Sequence, residues 1–243
     1  MTTNSLDILD ISFIEKTLNL KNDELVVLGG RPSMGKTSFA LNMLNNSSKR
    51  GCFIELWESP EEISSKEEKM KIKDSQKNYE TICMERPSLI ELIELIVDQK
   101  DKVDYFVIDD MSGLNEAINP LFSKDKNYQF VLRYLKLIAK GLKKNIFLFS
   151  QLSRIVENGN FFNFIYYAIR EKYIDHILTI LRPAYYVIEV DPNTGLEFER
   201  NAAFLFVAKT KLRKNSGKIN MKFDYPIWSL AESESFVENR LLD

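Results

Sequence analysis

Hydrophobic residues fall into two patterns along this chain. Short apolar runs rich in β-branched and aromatic residues are typical of buried strands, and longer segments with apolar residues every three or four positions are typical of helices. The short runs predict strands over residues 24–29, 52–57, 81–84, 104–109, 146–150, 177–181, 186–190, 203–208 and 219–223. The longer segments predict helices over residues 36–49, 88–100 and 128–142.

The order of these elements predicts an α/β fold. Strands that alternate with helices usually form a mainly parallel sheet with helices on its faces. The last strands, from residue 186 onward, have no helices between them, and the turn sequence at residues 191–195 favours an antiparallel hairpin at the sheet edge. Residues 61–77 are almost wholly charged or polar, which favours a solvated helix over a mobile excursion.

Length and composition indicate one ordinary globular unit. The chain has 243 residues, 44% of them hydrophobic, and no linker rich in Pro, Gly or Ser divides it. We therefore expect a single domain over residues 1–243, with residues 1–20 as a lead-in and residues 231–243 as a tail. The net charge is −2, so any nucleic-acid binding must come from a local basic patch.

The cysteines, the histidine and the first residues narrow the location and the chemistry. Cys52 and Cys83 both lie in predicted strands, which favours buried, reduced thiols in a cytoplasmic protein. The first residues lack the pattern of a signal peptide, and no apolar run is long enough to predict a membrane span. His176 is the only histidine, which excludes a zinc site built from several histidines.

The strongest chemical signal is a glycine-rich segment between the first predicted strand and the first predicted helix. It matches the P-loop pattern GxxxxGK[ST] over Gly30, Arg31, Pro32, Ser33, Met34, Gly35, Lys36 and Thr37. Backbone N–H groups of such a loop bind phosphate together with the amino end of the following helix, which includes Ser38. Lys36 would neutralise the β- and γ-phosphates of ATP, and the Thr37 hydroxyl would ligate Mg²⁺.

Polar residues at other strand ends would complete a site for hydrolysis. The carboxyl ends of parallel strands line the ligand crevice of such a sheet. Asp109 ends an apolar run and is predicted to hold Mg²⁺, as in a Walker B strand. Glu58 ends the strand after the P-loop helix and is the candidate general base, with Glu55 as a rival that is expected to be buried or to face away. Gln151 ends a later strand and is a candidate sensor of the γ-phosphate.

Together these residues resemble the ATPase domain of DnaB-type replicative helicases. The resemblance extends from about residue 4 to residue 228 and is carried, in order, by residues 31–37, Glu58, and residues 107–109, 149–154, 181–186 and 207–209. It implies a RecA-like P-loop NTPase fold and hydrolysis of ATP with Mg²⁺, with Lys36, Glu58 and Gln151 as catalytic residues. It further implies movement on single-stranded DNA and assembly into a homo-oligomer such as a hexameric ring.

A basic stretch near the carboxyl terminus resembles the family's trans-acting pair, which reaches the γ-phosphate of the neighbouring subunit. Lys209 corresponds to the family's lysine, and the arginine position holds Lys211 unless a one-residue slip brings in Arg213. Lysine cannot reproduce the bidentate contacts of arginine. Binding of nucleic-acid phosphate and a solvated basic hairpin are the alternative interpretations of this stretch.

Two departures from the family concern the coupling of hydrolysis to DNA and to a ring. The family's amino-terminal domain and linker helix have no counterpart in this sequence, and its DNA-facing segment is replaced by the aromatic stretch 161–170. Apolar residues in that stretch recur at helical spacing, which favours packing over base stacking on single-stranded DNA. These departures motivate an alternative function, an ATP-binding regulatory or interaction module with little unwinding activity. A recombinase-like filament on the same fold ranks below both.

Overall fold

Helices and strands alternate through most of the described chain. The computed structural model describes residues 9–114, 124–151, 172–186, 190, 195, 197–210, 217–231 and 237–238. The helices are Ile11–Leu18 (α1), Lys36–Asn45 (α2), Pro60–Lys69 (α3), Leu89–Gln99 (α4) and Lys124–Leu142 (α5). The strands are Leu25–Gly30 (β1), Gly51–Glu55 (β2), Tyr79–Cys83 (β3), Tyr105–Asp109 (β4), Asn145–Gln151 (β5), His176–Leu181 (β6), Ala202–Lys209 (β7), Gly217–Asp224 (β8), Ile227–Leu230 (β9) and Val237–Glu238 (β10). None of these helices combines the length and the apolar character needed to cross a bilayer.

All of these strands belong to one sheet. Its order is β10-β8-β7-β6-β1-β5-β4-β2-β3, and β9 also pairs with β8. The pairs from β6 to β3 are parallel, whereas β7, β8, β9 and β10 pair antiparallel with their neighbours. The predicted fold class, a mainly parallel sheet with antiparallel strands at its carboxyl-terminal edge, is confirmed.

Helices cover both faces of the sheet. Side chains of a strand alternate between the two faces, so Val26 and Leu28 of β1 join one hydrophobic cluster and Leu25 and Val27 join the other. The first cluster includes residues of α1, α2 and α3, and the second includes residues of α4 and α5. Burial on both faces explains why the parallel strands are continuous apolar runs.

Two helices begin with a capping box that is visible in the sequence. Ser88 and Glu91 exchange side-chain and backbone hydrogen bonds at the start of α4, and Ser59 and Glu62 do so at the start of α3. Such caps satisfy backbone N–H groups that have no partner within the helix. The polar segment that begins at residue 61 is therefore a helix through Lys69, as its solvated character predicts.

The amino edge of the sheet is fixed by buried polar pairs. His176 Nε2 lies 2.9 Å from Glu24 Oε2, and both side chains are buried. The Lys136 ammonium group lies 2.5 Å from Asp175 Oδ2, whose oxygen also accepts the Leu25 N–H. The single histidine therefore has a structural partner at the edge opposite the P-loop.

Several predicted boundaries were wrong for identifiable reasons. The strand predicted over residues 52–57 ends at Glu55, because the Glu55 carboxylate accepts the N–H groups of Trp57 and Glu58 and turns the chain. The helix predicted over residues 36–49 ends at Asn45, where a run of Asn and Ser residues with poor helix propensity begins.

Three further differences from the predicted elements concern residue 186, two short elements and the aromatic stretch. Tyr186 lies in a 3₁₀ turn rather than starting a strand, although Val190 and Glu197 form an antiparallel bridge. The short elements α1 and β9 were not predicted. The aromatic stretch at residues 161–170 lies outside the described residues.

Candidate functional site

The carboxyl ends of the parallel strands bring the predicted site residues to one edge of the sheet. Gly30 at the end of β1 is in register with Gln151 at the end of β5. Glu55 at the end of β2 is in register with Asp109 at the end of β4. Because β4 pairs with β5, the P-loop, the two carboxylates and Gln151 follow one another along this edge.

The P-loop folds around the amino end of α2. Ser33 and Gly35 have positive φ angles of 61° and 87°, and Gly35 is the N-cap of the helix. A Cβ atom on Gly35 would lie 3.0 Å from Phe223 Cζ, so both the backbone conformation and the neighbouring ring favour glycine here. The Met34 side chain is buried beneath the loop. This arrangement leaves the first N–H groups of α2 available to an anion.

The two P-loop residues that follow Gly35 contact the carboxylates at the end of β4. Thr37 Oγ1 donates a hydrogen bond of 2.7 Å to Asp109 Oδ2. Lys36 Nζ lies 3.8 Å from Asp110 Oδ2. The predicted phosphate-binding loop and the predicted Walker B strand therefore meet, and each acidic residue faces a different side chain of the loop.

Asp110 also belongs to this site, although the sequence patterns singled out only Asp109. Its Oδ1 atom accepts the Ser112 N–H at 2.9 Å and the Gln151 N–H at 3.3 Å. Asp110 thus joins the end of β4 to the end of β5 and to Lys36. The signal was the doubled carboxylate at residues 109–110.

Two buried carboxylates stand side by side at the ends of β2 and β4. Burial and the nearby Asp109 charge raise the pKa of Glu55, while hydrogen bonds from the Glu58 and Trp57 N–H groups oppose this rise. Burial and the Asp110 charge likewise raise the pKa of Asp109, and the hydrogen bond from Thr37 opposes this rise. Of the two carboxylates, Glu55 is the one that more readily stays protonated, because its Oε2 atom is buried without a hydrogen-bond partner among the described residues.

Glu58, the candidate general base, is held by a lysine. It lies in the turn three residues beyond the end of β2, not on the strand itself. Both of its carboxylate oxygens accept hydrogen bonds from the Lys66 ammonium group in the last turn of α3. Both side chains are mostly buried. The rival Glu55 is buried, as predicted, but it ends the strand and fixes the turn that carries Glu58.

The back of the P-loop is supported by residues that the sequence patterns did not single out. Trp228 Nε1 donates to the Gly35 carbonyl oxygen at 3.1 Å, and Arg182 Nη1 donates to the Ser33 carbonyl oxygen at 3.2 Å. The Arg182 guanidinium group also lies 4.1 Å from the centre of the Phe223 ring. These contacts join β6, β8 and β9 to the loop across more than a hundred residues of chain, which explains why no local pattern revealed them.

Comparison with known proteins finds similarity to one family of helicases. A family model described as DnaB-like helicase C terminal domain matches residues 9–86, which run from α1 past the end of β3. The resemblance to DnaB-type replicative helicases is confirmed.

Curated relatives and a solved structure extend the match. A probable replicative DNA helicase of Guillardia theta is 27% identical over 174 residues, covering 58% of this chain and 28% of that protein. A probable replicative DNA helicase of Trieres chinensis is 24% identical over 245 residues, covering 86% and 53% respectively. A solved ATPase domain has a TM-score of 0.72 at 21% identity, covering 88% of this chain and 86% of that one, so the fold is RecA-like. The chain spans about half or less of the length of these two curated relatives.

The position of Lys209 bears on the trans-acting pair of DnaB-type proteins. Lys209 ends β7 and is in register with Ile177 near the amino end of β6. It therefore lies toward the edge of the sheet opposite the P-loop, about 10 Å before Gly30 along the strands. This separation keeps Lys209 away from the predicted nucleotide site of its own chain. Lys211 and Arg213 lie outside the described residues.

The donor set at the P-loop fits the Mg²⁺ ion that DnaB-type ATPases imply. Mg²⁺ with a nucleotide usually takes one or two protein oxygens and completes its shell with phosphate and water. The Thr37 hydroxyl and the Asp109 carboxylate supply such oxygens, 2.7 Å apart. Among the described residues, no cluster of three or more His, Cys, Asp or Glu side chains offers a different metal site.

Proposed function

We propose that this chain is the ATPase core of a DNA helicase or translocase of the DnaB type, with residues 1–243 as one RecA-like domain. It would hydrolyse ATP and couple hydrolysis to movement on single-stranded DNA. The observation that carries the proposal is the 2.7 Å hydrogen bond between Thr37 and Asp109, because it joins the phosphate loop to the carboxylate expected to hold Mg²⁺. The reduced Cys52 and Cys83 support a cytoplasmic location.

Each proposed role follows from where the side chain lies. Residues 30–35 and the amino end of α2, including Ser38, would bind the phosphates through backbone N–H groups. Lys36, which lies beside Asp110, would move its ammonium group to the β- and γ-phosphates. Thr37 and Asp109 would hold Mg²⁺, which neutralises charge on the phosphate oxygens when it is bound. Gln151 would contact the γ-phosphate from the end of β5.

The general base would be Glu58, acting on the water that attacks the γ-phosphate. In the structure both of its oxygens are occupied by Lys66. Proton transfer would therefore require Glu58 to leave Lys66, and the turn fixed by Glu55 is the segment that would move. We therefore expect a low basal rate of ATP hydrolysis, which DNA or a neighbouring chain would raise by releasing Glu58 from Lys66.

The position of Lys209 supports action as an oligomer. Lys209 lies at the opposite edge of the sheet, so it would serve the nucleotide of a neighbouring copy, together with Lys211 or Arg213. A trans-acting cation of this kind can raise hydrolysis by about 10³–10⁵ when it is an arginine. We therefore propose a homo-oligomer, with a ring as the expected form, and single-stranded DNA as its partner.

The deciding experiment measures ATP turnover with and without single-stranded DNA, with the mass of the protein measured in the same buffer. Wild type should hydrolyse ATP and be stimulated by DNA. Lys36→Ala should lose ATP binding, and Glu58→Gln should bind ATP but turn it over about 10²–10⁴ times more slowly. Lys69→Ala, at the end of α3, is the matched control for Lys36→Ala and should bind and hydrolyse ATP like wild type.

Two results would contradict the proposal. A wild-type protein that hydrolyses no ATP, even as an assembled oligomer with DNA, would exclude the enzyme. ATP binding with little turnover by a monomer would instead assign the chain to the regulatory or interaction modules that bind ATP without unwinding DNA.

A further inference from the structure

Helix α4 carries apolar residues beyond the side that it buries. Leu89, Leu92 and Ile96 are buried against the sheet. About a quarter turn round the helix from Leu89, Ile90 is 68% exposed and Val97 is also exposed. Exposed apolar residues grouped on one surface mark interaction sites, so this outer side of α4 is a candidate contact surface.

The polar positions of this outer side are almost entirely acidic. Glu94 and Asp98 alternate with Ile90, Ile93 and Val97 along the helix, and no basic residue occurs within α4. A shallow cavity of about 460 Å³ lies here, lined by Ile93, Glu94, Val97, Asp98, Lys100 and Asp101. The surface therefore offers apolar contacts beside negative charge.

The neighbouring helix α5 presents the opposite charge. Both helices pack on the same face of the sheet and contribute to the same hydrophobic cluster. Leu137 of α5 is 53% exposed, Tyr134 is also exposed, and the exposed charges beside them are Arg133 and Lys140. The outer side of α5 thus combines apolar residues with positive charge.

These charges are not paired within the described part of the chain. Among the described residues, no ion pair involves Glu94, Asp98, Arg133 or Lys140. One acidic apolar helix and one basic apolar helix lie side by side on one face. A two-fold axis that lies in the contact plane, between the two helices and along them, would place the acidic helix of each copy on the basic helix of the other.

We propose that the outer surface of α4 and α5 binds a second copy of this chain in a two-fold dimer. The acidic α4 and the basic α5 make this surface complementary in charge to itself, and both helices add exposed apolar residues. A different partner would need a basic and an acidic surface side by side to match the same charges. The helices are about 16 and 28 Å long and would lie roughly 8–10 Å apart, so the contact is at the small end of stable interfaces. We therefore expect a weak, reversible dimer and not an obligate one.

The first test measures mass by sedimentation equilibrium without nucleotide or Mg²⁺, so that nucleotide-dependent assembly does not contribute. Wild type should dimerise, and Ile90→Glu or Leu137→Glu should weaken dimerisation at least about tenfold. Ile227→Glu, an exposed apolar position on β9 away from this surface, is the matched control and should dimerise like wild type. Circular dichroism verifies that each variant is folded.

The second test reverses the charges. Glu94→Lys with Asp98→Lys makes both helices basic, and Arg133→Glu with Lys140→Glu makes both acidic. Each double variant alone should stay monomeric at concentrations where wild type dimerises, and an equal mixture of the two should form a heterodimer. A monomeric wild type, unweakened variants, or a mixture that fails to associate would each overturn the proposal. A monomeric wild type that binds a basic amphipathic peptide through Ile90 would assign the surface to another protein.

Discussion

Both carboxylate oxygens of Glu58 accept hydrogen bonds from the ammonium group of Lys66. Glu58 is the residue proposed to take a proton from water, and its oxygens are occupied while this pair persists. Lys66→Met removes the ammonium group and keeps most of the side-chain volume. We expect the basal ATP turnover without DNA to rise severalfold, because Glu58 is then free to contact water.

The control for this prediction is Lys69→Met, which changes a neighbouring lysine in the same helical turn that is in no ion pair with Glu58. Its turnover should match wild type. The double variant Lys66→Met with Glu58→Gln should stay as slow as Glu58→Gln alone. An unchanged or lower turnover in Lys66→Met would mean that the pair only stabilises the loop.

A second prediction concerns the buried carboxylate of Glu55. Burial beside Asp109 raises the pKa of Glu55 to about 8. The native state therefore keeps a proton that the unfolded chain releases above about pH 4.5. Because the native state binds more protons, the free energy of unfolding should fall as the pH rises from about 4.5 to 8. Glu55→Gln, which carries no charge, should remove this dependence.

The measurement is urea denaturation at pH 5 and pH 8 in the presence of EDTA, so that metal ions do not compete with protons. Glu55→Gln should be more stable than wild type by about 1–3 kcal/mol at pH 8, and the difference should nearly vanish at pH 5. Glu94→Gln, an exposed carboxylate on α4, should keep the wild-type slope. A Glu55→Gln variant that follows wild type at both values would show that Glu55 is ionised in the native state.

Two glycines provide a matched test of packing near the site. A Cβ atom on Gly113 would lie 2.4 Å from the Leu56 carbonyl oxygen, and Leu56 precedes the turn that carries Glu58. Gly113→Ala must therefore shift the backbone and should cost about 1–3 kcal/mol of stability. In contrast, a Cβ atom on Gly141 in α5 meets nothing within 4 Å. Gly141→Ala should stabilise the protein by about 0.5–1 kcal/mol.

Thermal unfolding of the two alanine variants checks this pair of predictions. The melting temperature should fall for Gly113→Ala and rise slightly for Gly141→Ala. Gly113→Ala should also slow ATP turnover, because the displaced Leu56 carbonyl lies two residues before Glu58. Equal effects of the two substitutions would contradict the close approach at Gly113.

The parts of the molecule that the sequence predicted are those with local signals. The parallel strands are buried on both faces and so leave continuous apolar runs, and Thr37 and Asp109 lie in motifs whose spacing is set by one loop and one strand. Lys66 and Trp228 have no such signal. Lys66 meets Glu58, eight residues earlier, only because the turn before α3 brings the two side chains together. Trp228 meets Gly35, 193 residues earlier, only once the sheet has formed. Neither contact follows from a sequence pattern or a motif spacing.

A final prediction uses the contact between Trp228 and the P-loop. The chain has two tryptophans, the 61% exposed Trp57 and the buried Trp228, whose indole N–H donates to the Gly35 carbonyl. In the Trp57→Phe variant all tryptophan emission comes from Trp228. ATP binding should change that emission with a saturable dependence on concentration, because phosphate contacts reorganise the loop that carries Gly35. Adding Lys36→Ala should abolish the change, and Trp228→Phe, which retains Trp57, should report a smaller one. If radiolabelled ATP binds to Trp57→Phe while the emission stays constant, Trp228 supports the loop without responding to the nucleotide.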